Sequence, residues 1–285
     1  RLWSRRTGAE HWPLAVCGAG RAVLLPRSYT GGRALVLDLF TGAEVASFAL
    51  PYVDEGDLRG AWIEGGTLIL PHFPKTTPAP ELISAWSLRD GRQRWAVTNE
   101  DELDFDSLAR AGGEVYMVFS AGRQKAGAIQ QLDLRLGAVR TLNVRVGPGD
   151  VPIGMDRHRV TELESGWLYL QSRSEQSTSE TIVRAIELPF GEKWRHRLPV
   201  APSEIYDGLP RPVSSASSTV LAWTEPTRDL VRPMTQLLFL DRELGTLADS
   251  RSLDQGFGPA GRLTFVTLGS SLVILGSNQM AFYAR

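Results

Sequence analysis

Short apolar runs alternate along this chain with turns built from Gly, Ser, Asp and Thr, and the alternation continues from one end to the other. Residues 34–45, ALVLDLFTGAEV, carry the unit: an apolar run, Asp38, a turn ending in Gly42, and a second run going back. Leu35, Val36 and Leu37 suit a pleated, half-buried surface. Gly42 supplies the positive φ that a chain reversal needs. Asp38, four residues earlier, is placed for its carboxylate to accept hydrogen bonds from the turn N–H groups, a turn-locking role.

The turn recurs. Asp38 with Gly42, Ser87 with Gly91, Asp133 with Gly137, Glu187 with Gly191 and Asp241 with Gly245 share one spacing, each after an apolar run. Ser4 with Gly8 is a further copy, because LWSRRTGAEHW lies over AWSLRDGRQRW at residues 85–95. A second element repeats out of phase: strand, small-residue turn, strand, with turns near Gly20, Gly66, Gly113, Gly166, Ser218 and Ser271. Two hairpins alternating at a period of about fifty residues predict four short antiparallel strands per unit, the blade of a β-propeller. One blade cannot bury both faces alone, so several must stack around an axis.

The expectation is a single all-β domain over residues 1–285: a closed propeller of six four-stranded blades, with seven as the alternative. The last blade lacks its outermost strand, and residues 9–14 are placed to supply it. Such closure would remove an exposed sheet edge.

The run of β-strand, Asp, Thr-Gly turn and Trp-bearing strand, as in RTGAEHW, LFTGAEV and RDGRQRW, resembles the PQQ-like repeat of quinoprotein-type β-propellers. In that family the Trp after the Gly packs between neighbouring blades, which implies packing roles for Trp12, Trp95 and Trp194. Enzymes of the family imply pyrroloquinoline quinone, calcium and adjacent cysteines. None is carried over here, since Cys17 is the only cysteine. The resemblance is closer to the non-enzymatic branch of bacterial assembly scaffolds and extracytoplasmic sensors. It implies a WD40-like repeat protein that binds partners through loops and strand edges, with an extracytoplasmic or periplasmic location slightly favoured.

Composition narrows the picture little. Hydrophobic residues make up 42% and charged residues 22%, enough for a sizeable core, and the net charge of -1 gives no pull toward nucleic acid or anionic membrane. Only Lys75, Lys125 and Lys193 among the 31 basic residues are lysines, a sign of coding bias before any phosphate binding. A lone Cys17 forms no internal disulfide or thiolate cluster. No apolar run is long enough to span a bilayer, and no signal peptide is recognisable. His11, His72, His158 and His196 have no metal-binding spacing, so no metal site is expected. No phosphate loop or nucleophile elbow occurs, and no catalytic residue is assigned. A channel enzyme using His72 or His158 with an acid ranks third.

Charge sorts by loop class. The loops entering each blade carry Asp54, Glu55 and Asp57, then Glu100, Asp101, Glu102, Asp104 and Asp106, then Asp150 and Asp156, then Glu204 and Asp207, then Asp254. The loops joining second and third strands lean basic, with Arg27, Arg33, Lys75, Arg123, Lys125, Arg228 and Arg232. Tyr29, Tyr52, Phe73, Phe105, Tyr206 and Phe257 are the aromatic loop candidates. The reading is a non-catalytic protein-interaction scaffold without a cofactor. Its partner is expected on the acidic face, at Asp54, Glu55, Asp57, Glu100, Asp101, Glu102, Asp104, Phe105, Asp106, Tyr206 and Asp207. The alternative is a propeller that senses a ligand or metal along its axis.

Overall fold

The computed structural model of the chain describes residues 11–27, 32–50, 60–72, 81–98, 104–120, 126–147, 150–153, 155, 160–163, 166–173, 180–200, 209, 212–214, 217–225, 234–253, 257, 263–268, 271–276 and 279–283. Among these the structure is all-β, organised as antiparallel meanders. The chain packs as two compact units. One comprises Arg1–Phe119, Ile129–Thr141 and Asp156–Glu162, and the other Ser120–Ala128, Leu142–Met155 and Leu163–Arg285.

In the first unit, β1 (His11–Gly18), β2 (Arg21–Pro26), β3 (Gly32–Asp38) and β4 (Glu44–Leu50) form one sheet in chain order. β5 (Trp62–Glu64), β6 (Thr67–Pro71), β7 (Glu81–Ser87) and β8 (Gln93–Thr98) form the next. The third contains β9 (Asp104–Ala111), β10 (Glu114–Ser120), β11 (Ala128–Leu132) and β12 (Val139–Thr141). The second strands are near-continuous apolar runs because both of their faces are covered: every residue of β6 is buried. Outermost strands are the reverse, and all of β12 is exposed. Val23, Leu25, Val36 and Phe48 of the first sheet pack with Leu68, Leu70 and Leu88 of the second.

In the second unit, β13 (Val151–Pro152), β15 (Trp167–Arg173), β16 (Thr181–Glu187) and β17 (Gly191–Leu198) make a four-stranded sheet. β18 (Val213–Ser214), β19 (Ser218–Glu225), β20 (Met234–Asp241) and β21 (Leu247–Leu253) make another, and β22 (Thr264–Leu268), β23 (Ser271–Leu275) and β24 (Met280–Tyr283) a three-stranded one. Trp167, Tyr169 and Trp194 pack with Leu221, Trp223 and Leu238.

Two pairings differ from the expectation. The run at residues 9–14 does not extend the last sheet: from His11 onward it is the start of β1, with His11 opposite Pro26 and an irregularity before Ala15. Residues 9 and 10 lie outside the described ones. The hairpin expected across Gly166 is also rearranged. β14 (Val160–Glu162) lies parallel to β9 in the third sheet, while β13 pairs with β15 in its stead.

Candidate functional site

The turns between third and fourth strands are built alike from their polar first residue. Asp38 Oδ1 accepts from Phe40 N and Thr41 N at 3.0 and 2.9 Å. Asp133 Oδ1 accepts from Arg135 N and Leu136 N, and Asp241 Oδ1 from Glu243 N and Leu244 N. Each closing glycine donates back to the carbonyl of the first residue: Gly42 to Asp38, Gly91 to Ser87, Gly137 to Asp133 and Gly245 to Asp241. The Thr41 amide is the largest influence on Asp38, whose carboxyl sits below its ordinary value as a result. The Glu187 turn is built differently, with a cis Leu188–Pro189 bond and Gly191 already paired with Glu187 in β17.

Three of the turns, those closing at Gly91, Gly137 and Gly245, are also held by the preceding sheet. A Cβ on Gly137 would lie 2.7 Å from Trp95 Cγ, and one on Gly245 would lie 2.6 Å from Trp194 Cγ. Trp95 Nε1 donates to Leu134 O at 3.1 Å and Trp194 Nε1 to Arg242 O at 2.7 Å. Phe48 covers Gly91 in the same way without a donor. Glycine at these positions therefore meets two demands at once, a positive φ and a close aromatic neighbour. The side chain of Trp12 lies outside the described ones.

The turns carry large apolar side chains into solvent. Phe40 is 67% exposed, Leu136 68%, Phe190 79% and Leu244 69%, all one or two residues before the closing glycine. Val45, Val139 and Leu247, just beyond the glycines, are exposed too. Burying such residues is favourable, so rigid tips that hold them in water are candidates for contact. The fifth turn carries Arg89 and Asp90 there instead.

Elsewhere polar groups largely satisfy one another. Arg184 Nη1 donates to Asp150 Oδ2 at 2.6 Å, both side chains being under 10% exposed, and Arg184 also binds Glu192 and the Arg145 carbonyl. Asp150, expected in an acidic ring, is thus a buried structural anion. Burial alone would raise the Glu192 carboxyl, but Arg195 and Arg184 outweigh it and hold it low. Arg110 on β9 bridges Glu64 and Glu162 at 3.3 Å each and lies 5.6 Å from the Trp62 ring centre. A groove of about 680 Å³ passes over Glu64, Glu114, Gln131, Asp133, Arg135 and Arg140. Its floor is a ladder, Arg140 to Gln131 and Gln131 to Glu114.

His72 Nε2 is 2.8 Å from Ser84 Oγ and 4.0 Å from Glu81. Ser84 is wholly buried, and its hydroxyl also accepts from Trp86 Nε1. Among the described residues no cluster of His, Cys, Asp or Glu is arranged to hold a metal ion. No described helix is long and apolar enough to cross a membrane.

Of the sequence-derived contact residues, Asp54, Glu55, Asp57, Glu100, Asp101, Glu102, Tyr206 and Asp207 lie outside the described ones. Asp104, Phe105 and Asp106, read as loop, begin β9. Phe257, a candidate contact, is a core residue at 6% exposure. The exposed tips Phe40, Leu136, Phe190 and Leu244 escaped the sequence reading. Their signal was an apolar residue recurring shortly before the repeat glycine.

No family model matches the chain, and no curated protein does. Among solved structures, the Dos1 propeller is similar at a TM-score of 0.47 and 13% identity, covering 93% of this chain and 65% of that one. Hydrazine synthase of Kuenenia stuttgartiensis gives 0.46 and 12% over 90% of this chain and 73% of that one. The WD40 domain of Toxoplasma gondii coronin gives 0.42 and 10% over 92% and 65%. At these scores and identities the likenesses assign no family, ligand or residue role.

Proposed function

We propose that the meanders are the blades of a β-propeller, six in number, and that the protein is a non-catalytic scaffold that binds other proteins. The observation that carries this reading is the recurrence of Phe40, Leu136, Phe190 and Leu244 as exposed apolar tips on turns pinned by an acidic cap, a glycine or both. Rigid anchors lose little conformational freedom on binding, which favours affinity. Aromatic and aliphatic anchors surrounded by polar groups are what protein interfaces use. The acidic loops, including Glu100, Asp101 and Glu102, form a second contact surface in this reading. PQQ and nucleic acid have no part in it.

The test is affinity isolation from the native source at mild salt with mass spectrometry of the bound proteins. The wild-type chain is run against a variant carrying Phe40→Ser, Leu136→Ser, Phe190→Ser and Leu244→Ser, and against one with residues 100–106 neutralised. A stoichiometric partner lost from the first variant, with thermal unfolding unchanged, supports the tips. Loss from the second alone moves the surface to the acidic loops. A wild-type chain that retains no partner refutes the scaffold reading.

A further inference from the structure

We infer that residues 160–162 form a strand with two competing pairings, and that the chain switches between them. In the structure β14 lies parallel to β9, with Val160 opposite Leu108, Thr161 opposite Ala109 and Glu162 opposite Arg110. The repeat dictates another place for the same residues. In the first, second and third sheets a two-residue turn joins the first strand to the second: Ala19–Gly20, Gly65–Gly66 and Gly112–Gly113, every one at positive φ. Such turns match the twist of the strands they connect.

Gly166 keeps the equivalent position. Its φ is +71°, and its carbonyl accepts from Leu188 N, as the Gly20 carbonyl accepts from Leu39 N and that of Gly66 from Leu88 N. The strand before it has nevertheless gone elsewhere. Counting outward from residues 165 and 166, the repeat register sets Glu162 opposite Tyr169, Thr161 opposite Leu170 and Val160 opposite Gln171. Those places on β15 are taken by the other segment: Val151 is opposite Gln171, Pro152 opposite Leu170, and Ile153 N donates to Tyr169 O. The two pairings exclude each other.

Neither observed contact is strong. β13 has two residues, one of them a proline without an N–H to give. β14 has three, in the parallel arrangement that is slightly weaker per residue. Two ion pairs bias the chain to the observed form. Arg184 anchors Asp150 beside β13, and Arg110 holds Glu162 on β14. The alternative gains a hairpin closed by a local turn and leaves the β9 edge at residues 108–110 open to an extended strand of another chain.

A single polypeptide reads the partition. In a full-length chain carrying Cys17→Ser, Val151→Cys, Val160→Cys and Gln171→Cys, the thiol at position 171 pairs with 151 in the observed form and with 160 in the other. Oxidation in a thiol–disulfide buffer, followed by mass spectrometry of unreduced peptides, should give both disulfides, the 160–171 product at between about 0.1% and 10% for a minor state. Adding Asp150→Asn or Glu162→Gln should raise that product several-fold. Hydrogen exchange of the unmodified chain supplies the independent reading: amides at 160–162 and those of 108–110 that face β14 should exchange together and faster than those of β10. A 160–171 product that is absent, or that forms only in denaturant, overturns the inference. So does exchange of the β14-facing amides of 108–110 as slow as in β10.

Discussion

Gly137 and Gly66 both sit at positive φ, yet their surroundings differ, and this separates backbone strain from packing. Alanine at Gly66 meets nothing within 4 Å and should cost only the strain, about 1 kcal/mol, whereas alanine at Gly137 also collides with Trp95. Urea unfolding should show the second substitution as clearly the worse, by about 1–3 kcal/mol. Trp194→Phe keeps the ring over Gly245 but removes the bond to the Arg242 carbonyl, and a loss of about 1 kcal/mol is expected. His196 has a pH signature. Burial lowers its pKa from 6.5, with the Gly245 carbonyl acting in the opposite direction. Its contribution to stability is therefore complete above pH 6.5 and shrinks as pH falls toward the lowered folded value, because the unfolded chain binds the proton first. The melting temperature of His196→Gln should fall less steeply over that interval.

At the level of elements, strands were legible wherever the two hairpin periods overlapped. A run such as that of β6 announces a strand buried on both faces, and the Asp-to-Gly spacing announces the reversal that follows. Pairing partners are a different matter. Nothing in the residues of β14 distinguishes an antiparallel place beside β15 from a parallel one beside β9, because a three-residue segment has too little pattern to specify register. The tips were hidden by convention: an apolar residue before a glycine reads as part of a strand until its exposure is known. The Arg184 network is a further case. Asp150 looks like a loop acid in sequence, and only the fold brings it against Arg184. Arg184→Met should cost about 3–5 kcal/mol, since it strands a buried carboxylate, and Asp150→Asn on top of it should recover part of that loss in equilibrium unfolding.

For the molecule as a whole, a net charge of -1 and an isoelectric point near 6.5 leave little electrostatic repulsion between copies. With apolar tips exposed, solubility should pass through a minimum near pH 6.5, and the four-serine tip variant should shift the precipitation threshold to higher protein concentration at that pH. Light scattering across a pH series measures both. The chain order of the units adds a constraint on truncation. The first unit recruits residues as late as Glu162, so a fragment ending at 119 forfeits β11, β12 and β14.

The aromatic-over-glycine contacts bear on how such a chain changes length over generations. The aromatic half of each contact lies on the last strand of one repeat and the glycine half on the following one: Phe48 with Gly91, Trp95 with Gly137, Trp194 with Gly245. The second sheet carries both halves close together, the socket at Gly91 and the plug at Trp95 on the strand that follows. Where a repeat's new neighbour offers the matching half, gain or loss by whole repeats preserves the fastening; the Gly191 turn, where a Cβ would meet only the Asn143 carbonyl at 4.0 Å, offers none.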